Sequence, residues 1–290
     1  MAFHSQTTLA KAVFLDGAGL HSAAAASVVL RPAPAGRGVV FRRAGGGETP
    51  ARRDMISATR LNTGLGIGAS RVATVEHLMA AIALAGVDNI LIDIDGPELP
   101  ALDGSAAPWL DALLHAGLRP LEAPREAITI TAPVAVEDVG RSIRGEPFAG
   151  RIVEVSIDFP DAAIGAQSVR LDLDDPDDVR RVARARTFCR LAEVEELRAS
   201  GLSLGGSFDN AVVVDGARVL NPSGLRDPDE FALHKALDLI GDLRLAGAPI
   251  IGRIIAHRPG HDLNARFLAA LAAAGVGKAS DAARPLRVIA

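Results

Sequence analysis

The segment Thr74-Val-Glu-His-Leu-Met-Ala-Ala-Ile-Ala-Leu-Ala-Gly86 constrains the fold of this chain more than any other. It is a run of strong helix formers, and Gly86 supplies a stop. A helix this apolar belongs inside a protein. The run Asn89 to Ile94 that follows reads as a buried strand. Yet Glu76 and His77 stand side by side near the start of the helix. A buried, unpaired carboxylate costs too much free energy to be incidental. Both residues should therefore face a polar cavity, a partner or an ion.

A second helix is expected around His234-Lys-Ala-Leu-Asp-Leu-Ile-Gly-Asp242, preceded by Asp229 and Glu230 and closed by Gly247. Residues four apart share a helix face, so His234, Asp238 and Asp242 form a row. An imidazole one turn from a carboxylate is a ready chelate for a divalent cation. Taken alone, the same row is better explained as a partly exposed helix with a solvated acidic edge.

The two helices echo each other. Both end in Leu-Ala-Gly, at 84–86 and 245–247, and both run directly into an Ile-rich strand. Ala-Gly-Arg turns recur at 35–37 and 149–151. The separations of the two matches differ, which places an extra segment in the second half, at about 186–225. The expectation is an α+β fold of two similar domains, each a β-sheet packed on helices, with a βαβ-like insert in the second. Pro120 and Pro124 bracket the expected boundary, giving an N-terminal unit over residues 1–123 and a C-terminal unit over 124–290. If the two helices meet across a pseudo-twofold axis, His77, His234 and Asp238 converge with Glu76 beside them. Two histidines and a carboxylate with an open position form the catalytic zinc arrangement.

Composition narrows the function classes. The chain has 290 residues, 9 Phe, 1 Trp and no Tyr, with a net charge of −4. Few stacking aromatics and a negative balance argue against nucleic acid as a partner. The single cysteine, Cys189, permits no internal disulfide and suits a reducing compartment. The most apolar window, Leu78 to Ile94, is interrupted by Gly86, Asp88, Asn89 and Asp93 and is too polar to span a bilayer. The opening MAFHSQTTLA carries no apolar signal segment. A cytoplasmic protein with no integral membrane segment is expected.

Elsewhere, Gly64-Leu-Gly-Ile-Gly68 lacks the strand and the Lys-Ser/Thr that a phosphate loop needs, and reads as a turn. Ser105 is expected to N-cap a helix from Ala106 to Leu114. Arg181, Arg184 and Arg186 form a cationic row leading into Thr187. Phe188, Leu191, Val194 and Leu197 recur at near-helical spacing, either as core or as the lining of an apolar groove.

At these residues the sequence resembles the zinc-dependent UDP-3-O-acyl-N-acetylglucosamine deacetylases of lipid A biosynthesis. The resemblance is carried by Gly19-Leu-His-Ser22, Thr74-Val-Glu-His-Leu-Met-Ala-Ala81, Asp103-Gly-Ser-Ala106 and Ala185-Arg-Thr-Phe188. It continues in Gly205-Gly-Ser-Phe-Asp-Asn-Ala211, Val219-Leu-Asn221, Asp229-Glu-Phe with His234-Lys, Asp238 and Ile-Gly-Asp242, and Gly260-His261 with Leu-Asn264. These segments keep the family's order over nearly the whole chain.

The resemblance implies a site between the two domains and a passage for a fatty acyl chain formed by the insert. It implies Zn²⁺ on His77, His234 and Asp238, with Glu76 as general base. The substrate it implies is UDP-3-O-(3-hydroxyacyl)-N-acetylglucosamine, which loses acetate at the committed step of the pathway. In this reading zinc and Thr187 stabilise the oxyanion, and His261 protonates the departing amine or holds positive charge. Asp242 orients His261, and Lys235 offers a fixed cation. Phe159 and Phe188 are matched to the nucleotide or sugar, and Leu191 and Val194 also fall among the substrate contacts. A monomer is expected. Two positions depart from the pattern: Arg190 replaces a large apolar residue at the expected passage entrance, and Asn62 stands where a cysteine is common. The rival reading, a non-catalytic binding module on the same fold, predicts loss of Glu76 or of a metal ligand, and none is missing.

Overall fold

The computed structural model describes residues 5–275 in full, and the backbone of residues 2–3, 278–280 and 286–287. His4 and the chain end beyond residue 287 lie outside the described residues.

The fold is α+β and repeats one unit twice. In the first half, five strands lie in the order Val13–Ala18, Ala25–Pro32, Ile90–Ile94, Val39–Arg43, Gly47–Pro50. The central strand Ile90–Ile94 runs antiparallel to Ala25–Pro32 and parallel to Val39–Arg43. It is fed by helix α1, Glu76–Ala85, and followed by helix α2, Ala107–Ala116. In the second half, the order is Val134–Asp138, Arg141–Glu146, Ile250–His257, Arg151–Asp158, Ala166–Asp172. The central strand is again antiparallel to one neighbour and parallel to the other.

Three further helices precede or feed that central strand: α3, Pro176–Ala183, α4, Leu191–Ala199, and α5, Glu230–Leu243. Helix α6, His261–Ala273, follows it. Glu126–Thr129 and Lys278–Ser280 extend the second sheet. Both Ala-Gly-Arg turns occupy the same place, between the second and third strands of their unit. Gly86 and Gly247 both close their helical segments in the left-handed conformation.

The stretch bracketed by Pro120 and Pro124 is itself a strand, Leu118–Pro124, paired with Ser5–Leu9. Ser105 does not occupy the N-cap position of α2. That helix begins at Ala107, whose N–H donates to the Ser105 hydroxyl at 3.2 Å. The insert holds the small sheet Phe188–Arg190, Val212–Asp215, Arg218–Val219 with α4 between its first two strands. Phe188 therefore stands on a strand and does not share a helix with Leu191, Val194 and Leu197.

Helix α1 is buried on nearly all sides, and α5 packs along it. Leu78, Met79, Ile82 and Leu84 are all fully buried; at about 1.5–3 kcal/mol each, they offset the cost of taking Glu76 and His77 out of water. Gly241 lets the two helices touch. A Cβ there would fall on the carbonyl oxygen of Glu76 and lie 3.1 Å from the nitrogen of Ala80. This backbone approach brings Glu76-His77 beside the His234 row.

Candidate active site

His77 from α1 and His234 and Asp238 from α5 offer three ligand atoms that all lie within 4.8 Å of one another. All three residues are buried. Asp238 Oδ1 lies 3.3 Å from Nε2 of His234 and 3.7 Å from Nε2 of His77. The other oxygen, Oδ2, accepts a hydrogen bond from Lys235 Nζ at 2.7 Å. His234 Nδ1 lies 3.1 Å from the carbonyl oxygen of Ala185. A carbonyl only accepts, so Nδ1 carries the proton and Nε2 presents its lone pair.

Burial, reinforced by His234 nearby, pushes the His77 pKa down to about 3. Burial lowers that of His234 as well, against the pull of Asp238. Burial opposes ionisation of Asp238, but His234, Lys235 and the other nearby histidines hold its carboxyl well below the usual range. Two neutral imidazoles and a carboxylate are the donor set a zinc ion takes. The residues present fit that ion.

The segment bearing Ala185 is fixed by a buried ion pair. Glu230, the first residue of α5, accepts from Arg186 Nε at 2.8 Å, Arg186 Nη2 at 3.1 Å and the Arg186 backbone N–H at 3.0 Å. This bidentate clasp ties the start of α5 to the segment that leads through Thr187 into the strand Phe188–Arg190. Arg181 pairs instead with Asp227 and Asp229. The cationic row thus spends two of its members on holding the site's frame.

Glu76 lies beside the cluster. Its Oε2 accepts from the Thr63 backbone N–H at 2.9 Å, and its Oε1 is 4.0 Å from His261 Nε2. Burial pushes its pKa up to about 8, with Asp242 and Asp238 adding to the shift and His261 opposing it. His261 opens α6, and its Nδ1 lies 2.8 Å from Asp242 Oδ2. Burial works against the cation, but the charge and hydrogen bond of Asp242, joined by Glu76, raise His261 to about 10. A buried acid shifted toward neutral pH beside a histidine held as a cation is the pattern of an acid–base pair.

A polar cavity of about 270 Å³ collects Glu76, His77, Thr187, Phe188, His234, Lys235, Asp238 and His261. An apolar cavity of about 400 Å³ adjoins it, lined by Leu191, Val194, Leu197 and Phe208 among others. Leu20, His21, Leu61, Thr187 and Phe188 line both, so the apolar space opens onto the polar one. Asp242 sits behind His261. Phe159 lines neither cavity; its ring packs edge-on against Phe188 with centroids 5.6 Å apart.

Arg190 does not line the apolar cavity either. Its neighbours Phe188, Cys189 and Leu191 do line it. Arg190 Nε lies 3.2 Å from Asp161, close enough for an ion pair though not aligned for a hydrogen bond. Asn62 is buried close to the site, with its side-chain oxygen lacking a protein partner.

The sequence reading gave no role to several residues of this centre. Thr63 and Asn264 both donate to Asp242, at 2.6 and 2.8 Å. Glu98 accepts from the His21 and Ser22 backbone N–H groups and from the Ser22 and Thr74 hydroxyls, tying the Gly-Leu-His-Ser turn to the approach of α1. A threonine in a polar loop carries no distinguishing signal. An acid between Pro97 and Leu99-Pro100, in an apolar stretch, is one that a burial argument could have raised.

Neutral imidazoles converging on a carboxylate, with a shifted acid alongside and an apolar cavity adjoining, suit a hydrolase that acts on an acylated substrate. Comparison with known proteins narrows that class. Residues 6–273 match the UDP-3-O-acyl N-acetylglycosamine deacetylase family, and the chain belongs to it. It is a deacetylase that removes acetate from UDP-3-O-acyl-N-acetylglucosamine in lipid A biosynthesis.

Relatives named UDP-3-O-acyl-N-acetylglucosamine deacetylase include one from Anaeromyxobacter sp. (strain Fw109-5), 46% identical over 91% of this chain and 87% of the relative. Another, from Acidithiobacillus ferrooxidans, is 47% identical over 92% of this chain and 89% of its own length. A third, from Phenylobacterium zucineum, is 46% identical over 92% and 93%. Among the described residues, no helix is long and apolar enough to cross a membrane.

Proposed function

We propose that this deacetylase is zinc-dependent and that His77, His234 and Asp238 hold the ion. The observation that carries the reading is the convergence of three ligand atoms within 4.8 Å where α1 meets α5. Bound there, zinc supplies a Lewis acid for the acetamide carbonyl and lowers the pKa of water.

The protein's own groups complete the chemistry. Glu76 takes a proton from the water whose oxygen adds to the carbonyl carbon. Thr187, on the cavity wall, donates to the carbonyl oxygen as negative charge develops. The C–N bond then breaks, and His261 gives its Nε2 proton to the departing amine. Asp242 fixes the ring through Nδ1, so that Nε2 faces the reacting centre. Acetate and the free 2-amine result.

Lys235 keeps Asp238 in place and presents a cation toward the substrate's diphosphate. Phe188 borders the sugar, with Phe159 supporting its ring. The 3-hydroxyacyl chain enters the apolar cavity along Leu191 and Val194. Residues 1–123 and 124–290 act as two units with the site between them, in a cytoplasmic monomer.

Zinc content and acetate release by the purified protein test the assignment. Full activity and stoichiometric zinc in His234→Ala would overturn it. Glu76→Gln is expected to keep zinc and lose at least about a hundredfold in kcat.

A further inference from the structure

Thr63 touches both halves of the acid–base machinery. Its backbone N–H donates to Glu76 Oε2 at 2.9 Å, and its hydroxyl donates to Asp242 Oδ1 at 2.6 Å. The residue is 2% exposed. The hydroxyl also lies 3.2 Å from His261 Nδ1. That nitrogen donates to Asp242 Oδ2, so the single hydroxyl proton has Asp242 as its acceptor. Asp242 Oδ2 already accepts from His261 and Asn264; Oδ1 takes its hydrogen bond from Thr63.

The backbone of Thr63 does a second task. Helix α1 has no side-chain cap at Val75, and the Thr63 carbonyl accepts the Val75 N–H at 3.1 Å. One residue therefore clasps the start of α1 from outside and reaches across to α5. The loop that presents it bends through Leu61, whose φ of 65° places a non-glycine residue in the left-handed region. Such a conformation is unfavourable for a side-chain-bearing residue and persists only where its surroundings enforce it.

We infer that Thr63 is a positioning residue that locks the general base and the His261–Asp242 pair to one another across the two helices. Its N–H sets the Glu76 carboxylate so that Oε1 faces the reacting centre. Its hydroxyl sets the plane of the Asp242 carboxylate, and through it the imidazole of His261. The inference rests on the roles given above to Glu76 and His261.

The test compares Thr63→Val, which keeps the backbone N–H and the branched shape but removes the hydroxyl, with Thr63→Ser, which restores the hydroxyl. In Thr63→Val, kcat should fall about 10- to 100-fold with KM for the UDP-sugar within about twofold and zinc content unchanged. Thr63→Ser should recover kcat to within about threefold of the parent. On an Asp242→Asn background, Thr63→Val should cost less than about twofold more, because the two act as one unit.

A kcat within about twofold of the parent in Thr63→Val would overturn the inference, as would equal losses in Val and Ser or full additivity with Asp242→Asn. Should Thr63→Val fail to fold, Thr63→Ala against Thr63→Ser is read in the same way. Parent-like turnover by Glu76→Gln would instead sink the mechanism itself, and this inference with it.

Discussion

Asp242 collects hydrogen bonds from Thr63, His261 and Asn264, all within 2.8 Å, and this explains the charge on its neighbour. His261 is raised from 6.5 to about 10 despite its burial. A histidine raised on folding stabilises the native state fully below pH 6.5, and that contribution fades as pH climbs through 10. Asp242→Asn should therefore draw the alkaline limb of the kcat/KM profile toward neutrality. It should also flatten the dependence of Tm on pH over the 6.5 to 10 window; an unshifted profile would show that Asp242 does not set this charge. Part of the centre was legible residue by residue. Glu76 and His77 stood out because polar groups on an apolar helix need a reason, and the four-residue spacing joined His234 to Asp238. Thr63 was not legible, since its role lies in two hydrogen bonds made by a loop to partners distant in sequence.

Helices α1 and α5 owe their close approach to Gly241, where a Cβ would strike the Glu76 carbonyl. Gly241→Ala should push the helices apart at an overpacking cost of about 1–3 kcal/mol, read as a fall in Tm. Because His77 and His234 sit on opposite sides of that contact, zinc affinity should fall in the same variant. A change in Tm alone would mean that the ligand geometry tolerates the shift. The insert makes a separate claim. Val194 and Leu197 line the apolar cavity on α4, a helix with no fully buried residue of its own. Val194→Phe should raise KM for long acyl chains more than for short ones, measured on a series of substrates. The Leu-Ala-Gly ends and Ala-Gly-Arg turns were enough to read the repeated unit. They could not say that Phe188 belongs to a strand, because near-helical spacing over a few residues also arises where a strand meets a helix.

The site as a whole belongs to neither half of the chain. Of the three residues proposed to hold zinc, one comes from the first sheet's helix and two from the second's, so a bound ion would tie the two halves together. A ligand held only by the folded state adds about 4 kcal/mol at a thousandfold excess over Kd. Chelation should accordingly lower Tm as well as abolish activity, and zinc should restore both; a Tm indifferent to chelation would argue that the ion does not bridge the halves. From its order of residues alone, the chain determined its α+β class, its internal repeat, the helices that bear the polar groups and the family to which it belongs. These follow from periodicity, from stop signals and from motifs that are local in sequence. Tertiary structure decided which polar groups meet, that Arg190 lies within ion-pair distance of Asp161, and that Thr63 bonds both Glu76 and Asp242. Those outcomes depend on backbone approach and side-chain direction across distant segments, which no local pattern encodes.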